Sequence, residues 1–243
     1  MELIRPDWPA PARVRACFTT RSGGSSEGPF ASLNLGDHVG DDPNCVARNR
    51  ASLRDRLGLP AEPLWLRQVH GCEVADSAVA LFGCAADASV ARSPGQVCAV
   101  MTADCLPLLL CDASGQAVAA VHAGWRGLVA GVVEQTVGVL GGDPGQILAW
   151  LGPAIGPGAF EVGGEVRDQF LAADPGAGAA FRAGVAGRWL ADLYTLARGR
   201  LENVGVREVF GGGYCTYSDP GRFFSYRRDG VTGRMAGLIW LAQ

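Results

Sequence analysis

The chain has 243 residues, 48% of them hydrophobic and 19% charged, with a formal net charge of -3. This balance excludes a disordered chain and argues against nucleic acid or an anionic membrane surface as the main partner. All 21 cationic side chains are arginine, which excludes a lysine Schiff base and a Walker-type phosphate loop and leaves anions to arginine, backbone N–H groups or a metal.

No apolar run reaches the roughly 18 residues of a membrane span. Met1–Ala10 lacks the apolar core of a signal peptide. The eight cysteines are scattered, so they read as reduced thiols of a cytoplasmic protein, with Cys17, Cys98 and Cys111 as small core residues. Residues 12–20 alternate and predict a strand. Arg21–Pro29 is a glycine- and serine-rich loop that either offers N–H groups to an anion or is a surface connection. Residues 32–43 carry His38 among Asp37, Asp41 and Asp42. The segment Cys45–Leu57 has Val46, Leu53 and Leu57 at helical spacing, with Arg48, Arg50, Arg54 and Arg56 outside, one of which can reach a site.

Leu64–Gly71 reads as a strand ending in His70, and Asp87 lies inside another short strand. The stretch Val97–Leu128 organises the chain: two apolar strands, Val97–Met101 and Ala117–Val121, run into Asp104-Cys105 and into His122-Ala123-Gly124-Trp125-Arg126. A helix is expected over Leu128–Leu140, a strand over Ile147–Leu151, and helices over Phe160–Phe170 and Trp189–Val204. Residues 172–187 read as a surface connection. Strands are expected at Val206–Phe210, Phe223–Tyr226 and the C-terminal apolar run. Strands joined too tightly for a helix, as across Asp112–Gln116, favour mixed sheets with helices outside them.

Three residues at strand ends carry the chemistry. His70 and Cys105 lie 35 residues apart, and Cys105 and His122 lie 17 apart. That spacing excludes a zinc knuckle but suits a catalytic metal site with an open position. The same residues without metal make a nucleophile, Cys105, with His122 as base and Asp104 or Asp87 as orienting acid. Two histidines and a cysteine near Met101 also resemble a blue-copper ligand set. With three histidines in the whole chain, a multi-copper cluster has too few ligands. Arg126, Arg227 and Arg228 are candidate anion contacts.

Eight stretches carry a resemblance. They are TTRSGG (19–24), SLNLGDHVGDDP (32–43), RNR (48–50), QVHG (68–71), TADCLPLLL (102–110), VHAGWRG (121–127), GPAIGP (152–157) and FFSYRRDGVTGRMAGLIWL (223–241). In this order they resemble the YfiH-type laccase-domain family, whose members are also described as multifunctional purine nucleoside phosphorylases. The resemblance implies one α/β domain over residues 1–243, a layered α/β/β/α arrangement with mixed sheets. It implies zinc on His70, Cys105 and His122, with copper as the alternative metal. Catalytic roles are expected for Cys105, His122 and Asp104, and substrate contacts from Arg48, Arg126, Arg227, Arg228 and His38. The implied activities are phosphorolysis of adenosine, inosine and methylthioadenosine, and adenosine deamination. The implied partners are purine nucleosides and phosphate, without nucleic acid or membrane. Family members have also been called polyphenol oxidases and peptidoglycan-editing factors, and a kinship with a toxin deamidase keeps a Cys-His hydrolase in view. A non-enzymatic nucleoside binder fits least, because it has little need of an open metal position.

Overall fold

The apolar stretch that begins at Val97 folds, in a computed structural model describing residues 1–243, as three strands and not two. In chain order the elements are β1 (Leu3–Ile4), β2 (Val14–Thr19), α1 (Pro43–Leu57), β3 (Val74–Asp76), β4 (Ala88–Ala91), β5 (Val97–Thr102), β6 (Leu106–Asp112) and β7 (Val118–Ala123). They continue with α2 (Trp125–Ala130), α3 (Val132–Leu140), β8 (Ile147–Leu151), β9 (Glu161–Val162), α4 (Gly164–Ala173), β10 (Phe181–Ala183), β11 (Trp189–Ala191), α5 (Leu193–Asn203), β12 (Glu208–Gly211), α6 (Tyr226–Asp229) and β13 (Met235–Leu241).

A four-stranded antiparallel sheet, β1-β2-β13-β5, faces a six-stranded mixed sheet, β12-β8-β6-β7-β4-β3. A small antiparallel sheet, β10-β11-β9, lies apart from both. Side chains alternate across each strand, and both faces of the central strands are covered, so both faces are apolar. Leu109 and Cys111 of β6 join Phe18, Val100 and Ile239 in the core between the sheets. Leu106, Leu108 and Leu110 of the same strand meet the second core, with Leu128, Val133, Phe170 and Leu196 from α2, α3, α4 and α5. Leu53 of α1 closes the opposite face of the four-stranded sheet against Cys17, Ala99 and Leu238. The layers are therefore α/β/β/α in one mixed α/β unit, as the sequence led us to expect. No helix is long and apolar enough to cross a membrane.

The local punctuation has identifiable causes. Asp42 caps α1 by accepting from the Asn44 N–H, with Pro43 at the first helical position. Asp112 closes the β6–β7 hairpin by accepting from the N–H groups of Gln116 (2.7 Å) and Ala117 (2.6 Å). Gly131, at φ +89°, divides the expected Leu128–Leu140 helix into α2 and α3.

Several expectations are corrected. Leu64–Gly71 is not a sheet strand: it makes only isolated bridges, Leu64 to Cys98 and Arg67 to Ala85, and turns at His70. Trp189–Ala191 is a strand, and the helix starts at Leu193 because Asp192 caps it through Tyr194 and Thr195. The expected Phe160–Phe170 helix is the short β9 followed by α4. Phe223–Tyr226 is not a strand: Phe223 and Phe224 are buried, and Ser225 caps the short α6. The alanine- and glycine-rich connection buries Ala180 and Phe181 in the larger core.

Leu109 has no exposed surface and lies between the two sheets. We expect Leu109→Ala to lower unfolding stability by about 2–5 kcal/mol, measured by urea denaturation; a loss below ~1 kcal/mol would mean that the core between the sheets is not closely packed there.

Candidate functional site

The hairpin explains how residues 17 apart meet. In the β6–β7 register Leu106 pairs with Ala123 and Pro107 with His122. Cys105 therefore stands at the open end of the hairpin beside His122. On the other side of β7, Ala88 pairs with Val121, and the His122 N–H donates to the Asp87 carbonyl at 2.7 Å. Asp87 thus directly precedes β4 instead of lying inside a strand, and its side chain reaches the imidazole.

Asp87 is fully buried. Its Oδ1 accepts from His122 Nδ1 at 2.8 Å and from the His70 N–H at 2.9 Å. Its Oδ2 accepts from the Val69 and Gly71 N–H groups at 3.1 and 2.7 Å. One carboxylate therefore orients the His122 ring, leaving Nε2 for the site, and pins the backbone of His70, which sits at φ +60°. The sequence marks Asp87 only as one possible orienting acid, alongside Asp104.

His70, Cys105 and His122 each bring one ligand atom to within 4.8 Å of the others. His70 Nε2 lies 3.9 Å from Cys105 Sγ, and the two imidazoles meet edge to face at 4.8 Å. Donors around a tetrahedral zinc ion stand about 3.4–3.6 Å apart, given bonds of about 2.0–2.3 Å. The set is therefore slightly open, but of the right number and chemistry for one ion. Gly124 is required by close approach: a Cβ there would lie 2.9 Å from Cys105 Sγ and 3.2 Å from His70 Cδ2.

Burial raises the Cys105 thiol, but the charges of and hydrogen bonds to His122 and His70 outweigh it and bring the pKa down to about 6. Burial lowers His122, yet Cys105 and Asp87 lift it to about 9. Without metal, each group favours the charged form of the other, thiolate with imidazolium; the thiolate is the form that binds metal or attacks carbon, and His122 gives up its proton when it ligates.

These residues form the floor of a cavity of about 570 Å³. Trp125, Phe160 and Tyr226 supply aromatic walls, and Arg126, Arg227 and Arg234 supply positive charge. His38 stands on the rim with its side chain 55% exposed. It also borders a neighbouring cleft that shares Gln68 and Met101 with this cavity. Gln68 holds Met101 in a pair of hydrogen bonds, to its carbonyl at 2.8 Å and from its N–H at 2.7 Å. Arg126 stacks on Trp125 at 4.4 Å, and Arg227 Nη1 donates to the Glu161 carbonyl at 2.7 Å.

The remaining residues singled out in the sequence are placed differently. Arg48 and Arg228 do not line the cavity. Arg48 lies on the outer face of α1, with Nη2 2.9 Å from Cys45 Sγ. Arg228 holds the carbonyls of Thr216, Tyr217 and Phe223 and pairs with Asp229. Asp104 lines the cavity, but its carboxylate accepts from Thr216 Oγ1 (2.6 Å), Ser225 Oγ (3.0 Å) and the Arg227 N–H (2.6 Å). The Arg21–Pro29 loop does not present an anion nest: the Gly23 and Gly24 N–H groups donate to Ser32 Oγ, and that of Ser25 to Asn49. Trp125, Phe160, Tyr226 and Arg234 were not singled out. Their residue types carry no signal until the fold turns them to one cavity.

Two measurements test this geometry. In metal-free protein, iodoacetamide labelling of the Cys105 peptide, followed by mass spectrometry, should have its pH midpoint at about 6. The thiolate is the reactive form, so the lowered pKa makes labelling fast at neutral pH; a midpoint at the ordinary thiol value of about 8.5 would discard the thiolate–imidazolium pair. Asp87→Asn places an amide donor against N–H groups and should weaken zinc binding about 10–100-fold, read by competition with a chelator.

Comparison with known proteins fits this picture. Residues 15–242 match the family described as multi-copper polyphenol oxidoreductase laccase. The chain is 59% identical to a Pseudomonas aeruginosa protein named purine nucleoside phosphorylase, covering 98% of each. It is 56% identical to the Escherichia coli purine nucleoside phosphorylase YfiH, covering 99% of each. A crystal structure of a Neisseria meningitidis protein superposes with a TM-score of 0.96 at 51% identity, over 100% of both chains. That of YlmD from Geobacillus stearothermophilus superposes at 0.94 and 31% identity, over 100% of this chain and 97% of the other. With its His-Cys-His set and a match along nearly its whole length, this chain belongs to the YfiH-type laccase-domain family.

Proposed function

We propose that this protein is a zinc-dependent purine nucleoside enzyme of the cytoplasm. It splits adenosine, inosine and methylthioadenosine with phosphate, giving the free base and ribose 1-phosphate or its methylthio analogue, and it deaminates adenosine with water. One observation carries the reading: three metal-competent donors share a cavity with aromatic walls and arginines. The relatives' printed names point the same way. All eight cysteines are free thiols, which suits a reducing compartment.

His70, Cys105 and His122 would hold the zinc, which supplies a Lewis acid beside the substrate when bound. Trp125, Phe160 and Tyr226 flank a flat purine, which stacks on such rings. Arg126 and Arg227 face the cavity with donors for phosphate oxygens, and His38 guards the rim. Asp104 is assigned a positioning role: with three donors on its carboxylate, it holds the turn that carries Arg227 in place. Arg48 and Arg228 receive no substrate contact, because neither lines the cavity.

A second reading has its own observation. Without metal, the Cys105 thiolate, the His122 imidazolium and the Asp87 carboxylate stand in the order of a cysteine hydrolase. Such an enzyme would act on amide substrates, including those of peptidoglycan editing. It would keep its activity in chelator and lose it with iodoacetamide. Copper bound by the same three ligands would make a coloured, oxidising centre in place of the zinc site.

Product analysis on zinc-loaded protein tests the proposal. Adenosine with phosphate should give adenine and ribose 1-phosphate, and without phosphate only inosine. Cys105→Ala should lose zinc and lower both activities at least about 100-fold. Absence of turnover of adenosine, inosine and methylthioadenosine by metal-loaded protein would transfer the assignment to the hydrolase.

A further inference from the structure

Three arginines line the cavity, and they differ in one respect. Arg126 and Arg227 are exposed, whereas Arg234 is half-buried. Arg234 precedes β13, and its backbone is held on both sides. Its N–H donates to Asn34 Oδ1 at 2.8 Å, and its carbonyl accepts from the Leu35 N–H at 3.0 Å. Asn34 is itself fully buried, with its amide donating to the Gly36 carbonyl and to Asp41. The aliphatic stem of Arg234 lies on Gly36, where a Cβ would come within 2.8 Å of Arg234 Cγ.

The guanidinium is half engaged. Nη1 donates to the carbonyls of Thr232 and Gly233 at 2.9 and 3.0 Å. Nε and Nη2 make no hydrogen bond to protein, and no carboxylate forms an ion pair with this arginine. The comparably shielded Arg50, Arg200 and Arg228 each have one: Asp37, Glu134 and Asp229. Arg21 and Arg198 are half-buried without one, but each spends two guanidinium nitrogens on backbone carbonyls. Tyr226 lies over the group at 5.9 Å.

We infer that Arg234 seats inorganic phosphate, through its Nε–Nη2 edge, in the same cavity as Cys105 and His122. The inference rests on the phosphorolysis proposed above. The anchored Nη1 fixes the plane of the guanidinium, so its free edge presents two parallel N–H donors spaced for two oxygens of one oxyanion. A shielded cation without a counterion selects an anion. Adenosine and inosine are neutral, so phosphate and its ester product are the anions of the reaction. Arg234 lines the same cavity as Asp104, Cys105 and His122, which places the charge near the reacting groups.

In the step served by this seat, an oxygen of dihydrogen phosphate gives its electron pair to C1′ and forms the O–C1′ bond. The C1′–N9 pair leaves with the base, and the proton released by phosphate ends on the base. No oxidant or further reactant is needed.

The test compares wild type, Arg234→Gln and Arg234→Lys, each zinc-loaded, with inosine and phosphate varied separately. Losing a charge-assisted pair of hydrogen bonds should raise the phosphate KM about 10–100-fold in Arg234→Gln. The inosine KM at high phosphate and the zinc content should stay within about twofold of wild type. Arg234→Lys keeps the charge without the fork and should fall between; it decides the matter by the same KM split if the glutamine variant does not fold. Direct titration with inorganic phosphate, followed by calorimetry, gives a second readout independent of turnover. Wild-type turnover with an unchanged phosphate KM in Arg234→Gln overturns the inference and leaves phosphorolysis standing. Phosphate binding that Arg234→Gln abolishes, without turnover of any nucleoside, upholds the anion seat and overturns phosphorolysis. A wild type that neither binds phosphate nor turns over overturns both.

Discussion

The carboxylate of Asp87, without exposed surface, gathers four donors from two segments that approach from opposite sides. Three are backbone N–H groups of residues 69–71, and the fourth is the His122 ring. Burying a carboxylate is costly unless charge and hydrogen bonds compensate it. Here the compensation is the site itself. If the 69–71 turn moves away, the charge is left with His122 alone; if the ring rotates, the turn loses its register. The geometry of both histidines therefore depends on one buried charge, and the thiolate of Cys105 completes the electrostatics by stabilising the His122 imidazolium.

The opposite wall is built by the same device. Asp104, at φ +89° beyond β5, ties Thr216, Ser225 and the Arg227 backbone to the end of the sheet. A non-glycine residue at positive φ costs about 1–3 kcal/mol, and three hydrogen bonds to one carboxylate offset it. Asn34 does comparable work for the rim that carries His38 and Arg234. Three buried polar side chains thus position loops that would otherwise move independently, all anchored to strand ends of rigid sheets.

The cavity is charged asymmetrically. Its floor holds the Cys105 sulfur, the His122 imidazole and the satisfied Asp104 carboxylate, while exposed Arg126 and Arg227 and half-buried Arg234 line its sides. Two shielded arginines elsewhere are satisfied within the protein: Arg200 by Glu134 across α5 and α3, and Arg228 by three carbonyls and Asp229. With no lysine in the chain, every cationic side-chain contact has the planar geometry of guanidinium.

Much of this was legible in the chain alone. Apolar runs and the tight connection across Asp112–Gln116 foretold mixed sheets and the strand-end placement of His122, because alternation and turn chemistry are local properties; β6 was not legible as a separate strand, and Cys105 leads into it where the sequence placed that residue at the end of the strand before. The motifs around residues 68–71, 102–110 and 121–127 marked the three metal-competent residues by type. Trp189–Val204 misled because its apolar spacing suits a helix, and only the Asp192 cap divides it. Tertiary structure alone decided that Asp87 serves both histidines, that Asp104 holds loops, that Arg228 is consumed by carbonyls, and that Arg234 is not. Residue type and spacing tell what a side chain can donate or accept. Its partner is set by which distant backbone group the packed sheets bring within 3 Å, and no local pattern encodes that distance.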